Sequence, residues 1–174
     1  MPTAARVVVV PQDQSPLTVE DVTLPDPGPR QVVVKQFASG VCHSQLHQMH
    51  NPRQAPIILG HESTGVVLAS GSDVTHVKEG DTVMVTWVPR NAREAITAPW
   101  AATVALPDGG TAYSQNVFTW ADHTIADEQY VVKVADDINL EATAIIGCAV
   151  MTGAGAVINS ARVRAGDSAV SYTH

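Results

Sequence analysis

The first half of the chain consists of short apolar runs separated by strong turn signals. The clearest runs are "ARVVVV", "LTVEDVTL" and "QVVVKQFASGVC". Alternating or β-branched runs of this length, bounded by Pro and Gly, are typical of strands. A helical signal comes only with "SQLHQMHNPR", where Pro52 ends the pattern. This rhythm predicts a small β-barrel.

The second half is less regular. Residues 61–88 predict three strands joined by Gly-Ser-Asp and Gly-Asp turns, whereas residues 89–110 show no clear period and predict an irregular lobe. Strand signals return in "VFTWADHTIADEQYVVKV". Residues 139–174 then predict a helical segment, in two pieces split around "GCAVMTGAG", and Ala169 and Val170 resemble the start of one more strand. We therefore predict one mainly β domain over residues 1–174, with a few helices.

Composition narrows the function classes. Aromatic residues make up only 5% of the chain, so the core must be built mainly from Val, Ile, Leu and Ala. The formal net charge of -7 and the absence of a basic run argue against nucleic-acid and membrane partners. Pro11 ends the first valine run too early for a signal peptide or a membrane span. We expect a cytoplasmic protein.

The two cysteines are the first candidates for chemistry. Cys42 and Cys148 cannot form a disulfide framework, and as free thiols they could ligate a metal or act as nucleophiles. Two Cys and one His would fill a catalytic zinc site, which keeps one coordination position open. Local spacing does not identify that His, since His43, His47 and His50, taken singly, each fit a surface or hydrogen-bonded histidine.

Four motifs together carry a family resemblance. They are "GVCHSQLH", "PIILGHESTGVV", "GSDVTHVKEGDTVMV" and "GCAVMTGAGAV". In this order and at about these separations they resemble the zinc-dependent medium-chain alcohol dehydrogenases. That family joins an N-terminal GroES-like catalytic β-barrel to a Rossmann coenzyme domain. The resemblance implies the GroES-like barrel for this chain.

The resemblance also implies a ligand set. Cys42, His61 and Cys148 match the three ligands of one catalytic zinc ion. This Cys₂His set is the one known for alcohol dehydrogenases, so the match is to a known case and is not a deduction. Glu62 matches an acidic residue near the zinc, although a buried carboxylate in a salt bridge is the alternative interpretation.

Further roles follow from the same resemblance. Ser44 matches the hydroxyl that binds the substrate oxygen, and His47 matches the histidine at the solvent end of a proton relay. His43 matches a position that faces the cofactor phosphates, and Thr152 matches one that approaches the nicotinamide ring. His50 has no counterpart role, and we assign it to the surface.

Two tryptophans complete the expected site. Trp87 and Trp120 match positions where large apolar side chains flank the zinc, and ordinary core or interface packing is the alternative for both. If both line the site, they should narrow it and favour an apolar or aromatic alcohol or aldehyde.

The chain also departs from the family. Residues 89–110 contain no cysteine, so a second, structural Cys₄ zinc site is impossible there. No G-x-G-x-x-G motif occurs, and the chain ends in "SAVSYTH" where relatives enter the coenzyme domain. We expect that this chain lacks that domain, binds NAD(P) poorly and, as an alcohol dehydrogenase catalytic domain, turns over weakly at most.

Two alternative functions and one expected protein partner remain to be considered. The chain could be a non-enzymatic GroES-like binding or assembly module, because a fold does not fix a function. Cys42 could instead be a nucleophile activated by His43 or His61, although no third orienting group is visible nearby. Apolar surface left by the missing coenzyme domain should favour a homo-oligomer.

Overall fold

The β-branched runs form strands arranged in two sheets. The computed structural model describes residues 2–13, 15–91, 102–170 and 172. Within these residues the strands are β1 Thr3–Val10, β2 Thr18–Leu24, β3 Gln31–Ser39, β4 Ile57–Ile58, β5 Glu62–Ser70, β6 Thr82–Thr86, β7 Thr103–Ala105, β8 Thr111–Tyr113, β9 His123–Asp127 and β10 Val131–Lys133. The prediction of a mainly β fold is therefore confirmed.

The strand order brings distant segments together. One sheet runs β2-β1-β4-β8-β7 and the other runs β10-β6-β5-β3-β9. Only the β4–β8 pair is parallel among the described pairs. A bridge between Val7 of β1 and Ala121, just before β9, joins the two sheets. The sheets thus curve around a shared interior, as in a barrel.

The core consists of two apolar clusters that meet at β3. Val33 packs in one cluster with Leu24 and Phe118, whereas Val32 and Val34 pack in the other. Successive side chains of a strand point to opposite faces, so β3 contributes to both clusters. Phe118 is fully buried, but Val, Ile, Leu and Ala supply most of the remaining core, as the composition predicts.

Helices are short and lie at the edges of the barrel. The α-helices are α1 His43–His50, α2 Leu140–Thr143 and α3 Met151–Gly155, and wider π-type turns cover Ile146–Val150 and Ala156–Ser160. The predicted split around "GCAVMTGAG" is absent, because the helical backbone runs through these residues from Ile146 to Ser160. Among the described residues, no helix combines the length and the apolar character needed to cross a bilayer.

Three further expectations differ from the structure. Residues 74–77 form irregular chain between two turns rather than the middle strand predicted within 61–88, and Val67 of β5 instead bonds Gly80 and Asp81 through its backbone. Strand β7 lies inside the stretch predicted to be irregular, of which residues 92–101 lie outside the described residues. No strand begins at residues 169–170.

One ion pair fixes the turn that leads into β6. The Asp81 carboxylate accepts hydrogen bonds from Lys133 Nζ at 2.7 Å and from the Lys78 backbone N–H at 2.9 Å. The hydrogen bond from Lys133 is the main reason that the pKa of Asp81 lies below its ordinary value. A carboxyl group with a lowered folded-state pKa stabilises the fold above its unfolded pKa and loses that contribution as the pH falls through the folded value.

We expect Asp81→Asn to lower the free energy of unfolding at neutral pH. The difference from the wild type should shrink as the pH falls below about 4, because the carboxyl of the unfolded chain is protonated there before that of the folded protein. Urea unfolding at a series of pH values measures it. Lys133→Met should show a loss with the same pH dependence, and the two losses should not add. A difference that persists unchanged at low pH would contradict this assignment.

Candidate metal centre

Three side chains from separate segments converge at one end of the barrel. Cys42 precedes α1, His61 precedes β5, and Cys148 lies in the π-type turn over Ile146–Val150. One ligand atom from each lies within 4.8 Å of the others, and the two Sγ atoms are 3.9 Å apart. Two thiolates at about 2.3 Å from a common tetrahedral zinc would be about 3.8 Å apart. The cluster therefore has the size of a Cys₂His metal site.

Cys42 is held by the start of α1. The Gln45 side-chain Oε1 accepts the Cys42 backbone N–H at 2.7 Å, and the Gln45 backbone N–H faces the Cys42 sulfur in return. This reciprocal arrangement is a capping box with sulfur in place of the usual hydroxyl. Gln45 is buried, so the two bonds are shielded from water and fix the direction of the Cys42 side chain.

His61 is placed by a glycine turn. Gly60 has φ +95°, a conformation that L side chains rarely adopt. A Cβ atom at Gly60 would lie 2.5 Å from the Trp120 backbone nitrogen, so the chain can pass this point only without a side chain. The turn directs the next residue, His61, toward the two thiols.

Cys148 is placed by contacts on both sides of it. The Thr86 Oγ1 donates to the Gly147 carbonyl at 2.6 Å, and the Ala149 N–H donates to the Glu62 carboxylate at 3.3 Å. The first contact ties the π-type turn to β6 and the second ties it to β5. Single-turn π-helical segments occur frequently at functional sites.

Glu62 is the buried acid of the site. Its side chain is only 1% exposed, and a Cβ atom at Gly40 would lie 2.6 Å from its carboxyl carbon. Burial raises the pKa of Glu62, and hydrogen bonds from the backbone of Ala149 and Cys148 oppose this shift. No salt bridge holds Glu62 among the described residues, so the backbone amides are what satisfy this carboxylate.

The directions in which the pKa values of the two cysteines and His61 are shifted favour metal binding. The hydrogen bond from Ser44, at 3.4 Å to the sulfur, is the main reason that the pKa of Cys42 is lowered. Burial raises the pKa of Cys148, so the first proton leaves Cys42. Burial lowers the pKa of His61, which keeps its imidazole neutral at pH 7. A neutral imidazole and a thiolate are the forms that bind metals.

One nitrogen atom of His61 shows whether the cluster can accommodate a metal ion. The His61 Nε2 atom is buried and has no hydrogen-bond partner. A buried polar atom without a partner costs free energy, and a cation bound between His61, Cys42 and Cys148 would remove that cost. Sulfur and imidazole donors in this number suit zinc. The residues present therefore fit the metal that the resemblance implies.

The predicted relay residues lie on or beside α1. Ser44 lines the cavity described below, and its hydroxyl donates to the Cys42 sulfur. His47 and His43 are exposed, and their ring centroids lie 5.1 Å apart. His50 is exposed too, with its ring Nδ1 2.8 Å from the Leu46 carbonyl. Thus Ser44 lies beside the cluster, while the roles assigned to His43 and His47 stay predictions.

A cavity of about 600 Å³ opens onto the cluster. Trp87 lines it, and the Trp87 and His61 rings meet edge to face with centroids 6.4 Å apart. Trp120 is not among the lining residues, and its indole nitrogen is buried without a partner. Thr152 is exposed on α3, one helical turn beyond Cys148. The structure therefore brings Trp87 to the cavity and does not bring Trp120 there.

Sequence reasoning missed two positioning residues. Gln45 follows Cys42 by three positions at the start of a predicted helix, which is the spacing of a capping box, so this residue could have been found. Thr86 forms a hydrogen bond to Gly147, which is 61 positions away in the chain, and no local sequence pattern predicts such a contact.

Comparison with known proteins gives the family. The model of the alcohol dehydrogenase GroES-like domain matches residues 28–136. The chain is 35% identical over 178 residues to a Mycobacterium tuberculosis protein provisionally named alcohol dehydrogenase D, covering 90% of this chain and 48% of that protein. It is 33% identical to the NDMA-dependent alcohol dehydrogenase of Amycolatopsis methanolica, covering 96% of this chain and 51% of that protein.

A solved structure has the same fold. The alcohol dehydrogenase zinc-binding domain protein from Burkholderia ambifaria superposes with a TM-score of 0.84 at 27% identity, over 97% of this chain and 52% of that one. This chain therefore belongs to the alcohol dehydrogenase GroES-like domain family and has the GroES-like fold. It spans about half the length of the curated relatives that it matches.

The capping box generates a test of metal affinity. We expect Gln45→Met to weaken Zn²⁺ binding about 10–100-fold, because loss of an outer-shell partner loosens the ligand that it orients. Competition with a chromogenic chelator measures this affinity.

Gln48→Met, one turn later on α1, is the matched control and should leave Zn²⁺ affinity unchanged. Circular dichroism shows whether each variant is folded. A folded Gln45→Met protein with wild-type affinity would contradict the positioning role.

Proposed function

We propose that this chain is the catalytic domain of a zinc-dependent alcohol dehydrogenase, which interconverts an alcohol and an aldehyde or ketone with a nicotinamide cofactor. The observation that carries the proposal is the convergence of Cys42, His61 and Cys148 at a cavity of about 600 Å³. Family membership supports the oxidoreductase class. The activity of the whole protein is part of the proposal, since this chain spans about half of its relatives.

The three ligands define the chemistry of the site. Zinc bound by Cys42, His61 and Cys148 would keep one open position and act there as a Lewis acid on the substrate oxygen. The protonation states of the ligands suit a cation, because His61 is neutral and Ser44 favours the thiolate of Cys42. Glu62 holds the backbone beside Cys148 through Ala149 and so keeps that ligand in place.

Ser44 is the proposed contact for the substrate proton. Its hydroxyl faces the cavity beside Cys42, and a hydroxyl can both donate and accept after a simple rotation. His47 is three positions later on α1, so the two side chains share a helix face. Since His47 is exposed, it can exchange a proton with solvent. A proton would leave through Ser44 and His47, and the order reverses for reduction.

The cavity walls select a small organic molecule. Ile57, Ile58 and Leu59 run along the cavity toward His61, and Trp87 lines the cavity beside the His61 ring. Apolar walls of this kind exclude water and bind the hydrocarbon part of an alcohol or aldehyde. The nicotinamide cofactor belongs to the proposed reaction of the whole protein, and the exposed Thr152 and His43 are the residues that we expect to approach it.

Zinc content tests the proposal. We expect purified protein to hold one zinc ion per chain and Cys148→Ala to lose affinity by more than the roughly 100-fold typical of outer-shell changes, because a ligand is removed. Metal analysis after dialysis measures both.

The control variant His50→Gln changes the last residue of α1, which lies outside the cluster, and it should keep the metal. A wild-type protein that takes up no zinc on titration would contradict the proposed function and would favour the non-enzymatic binding module.

Self-association stays a prediction. Apolar side chains on the helical segment are exposed, among them Val157 at 50% and Ile158 at 66%. Exposed apolar patches favour association, so we expect a dimer or larger oligomer. Size exclusion with light scattering measures the mass, and the mass of a single chain at high concentration would contradict this expectation.

A further inference from the structure

Thr119 is a buried residue that contacts both sides of the turn that carries His61. It lies between β8 and β9, and none of its surface is exposed. Its backbone N–H donates to the Leu59 carbonyl at 3.1 Å, and its side-chain Oγ1 accepts the Glu62 backbone N–H at 3.3 Å. Leu59 and Glu62 flank residues 60–61. Thr119 therefore holds the chain both before and after His61.

The turn at residue 60 packs directly against Thr119. A Cβ atom at Gly60 would lie 2.7 Å from the Thr119 backbone nitrogen, and it would lie closer still to Thr119 Oγ1. Phe118, the residue before Thr119, is fully buried in the same core cluster as Leu24 and Val33. The turn therefore packs against a segment that the core holds in place.

Ser39 links the Thr119 hydroxyl to the strand that leads to Cys42. The Ser39 Oγ lies 2.8 Å from Thr119 Oγ1, and the two oxygens lie 3.1 Å and 3.3 Å from the Glu62 carbonyl oxygen. Each hydroxyl has one hydrogen to donate, so when one donates to the other, the second can donate to this carbonyl. Ser39 ends β3 and precedes Cys42 by three residues. The hydroxyl pair thus joins the segments that carry two of the candidate ligands.

A second buried threonine shows that burial alone does not produce such contacts. Thr124 on β9 is also fully buried, but its Oγ1 has no hydrogen-bond partner among the described residues. The Oγ1 of Thr119 contacts Ser39 and the backbone of Glu62, and both belong to segments that lead to or follow a candidate ligand. The contacts of Thr119 are therefore a particular feature of this end of the barrel.

We propose that Thr119 is a positioning residue of the candidate metal centre, and that its hydroxyl, together with that of Ser39, fixes the separation of His61 from Cys42. The proposal rests on the proposed function for the metal itself, but the hydrogen bonds concerned do not need the metal. A functional site must be held within about 0.5 Å of its productive geometry. Partners outside the ligand set provide this support, and their loss lowers metal affinity.

Two variants of Thr119 separate positioning from stability. Thr119→Val keeps the volume and removes the hydroxyl, so we expect it to weaken Zn²⁺ binding at least about tenfold. Thr119→Ser keeps the hydroxyl and removes a buried methyl group, so it should lower the unfolding temperature and still bind Zn²⁺ as the wild type does. Competition with a chromogenic chelator measures the affinities. Zn²⁺ binding that is weakened equally in both variants would overturn the proposal.

The absorption of bound Co²⁺ reports the arrangement of the ligands. Co²⁺ held by two thiolates and an imidazole absorbs visible light, and its spectrum depends on the coordination geometry. We expect Thr119→Val to change this spectrum and Thr119→Ser to preserve it. Thr124→Val removes an equally buried hydroxyl that has no partner among the described residues, so it should change neither the spectrum nor the Zn²⁺ affinity. A folded Thr119→Val protein with the wild-type spectrum and affinity would overturn the proposal.

Ser39→Ala decides the case if Thr119→Val does not fold. This variant removes the other hydroxyl of the pair, which should weaken Zn²⁺ binding several-fold and change the Co²⁺ spectrum. Circular dichroism shows whether each variant is folded. A folded Ser39→Ala protein that keeps the wild-type affinity and spectrum would also overturn the proposal.

Hydrogen exchange separates this inference from the proposed function. A wild-type protein that takes up no zinc would remove the catalytic assignment, but the Glu62 amide can still be followed in the metal-free protein. Its exchange should be faster in Thr119→Val than in the wild type and Thr119→Ser, because the acceptor of its N–H is lost. Zinc uptake by the wild type together with an unchanged exchange rate in Thr119→Val would overturn the inference and leave the proposed function standing.

Discussion

The buried Glu62 joins the segments that carry the three candidate metal ligands. Its backbone carbonyl accepts the Gly40 N–H at 3.0 Å, two residues before Cys42, and its carboxylate accepts the Ala149 N–H, one residue after Cys148. Glu62 itself follows His61. One residue thus fixes three pieces of chain that are far apart in sequence. A buried carboxylate is costly unless hydrogen bonds satisfy it, so these pieces must come together for Glu62 to be buried at all.

The same arrangement places several groups that ionise to anions close together, which is unfavourable without a cation. Two thiols, an unpartnered imidazole nitrogen and a buried carboxyl lie close together, and the charge of Glu62 acts to raise the pKa of both cysteines. Without a cation, ionising one thiol makes it harder to ionise the other. A divalent ion would remove this conflict, since it favours the deprotonated form of every ligand. The protonation and charge of the cluster thus suit a divalent metal ion.

Sequence patterns predicted the strands better than the site. β1, β2, β3 and β6 follow from β-branched runs closed by Pro or Gly, because alternation and punctuation are local properties. No strand forms at residues 74–77, where the chain turns back so that Gly80 and Asp81 bond Val67 of β5, and the alternation of apolar and polar residues does not reveal such a contact. The ligand set required the family resemblance. His61 and Cys148 are 87 positions apart, and their meeting depends on how β5 and β6 pair and on the Thr86 contact to Gly147.

A single helix relates the two ends of the cavity. Cys42 lies at the start of α1 and Arg53 binds the carbonyls at its end, so a rigid element fixes the distance between the Cys42, His61 and Cys148 cluster and the part of the cavity lined by Arg53. Arg53 also complements the partial negative charge of the α1 C-terminus, which helps to explain how a guanidinium is tolerated there without a carboxylate partner among the described residues. The contacts that stabilise α1 therefore also set the dimensions of the cavity beside it.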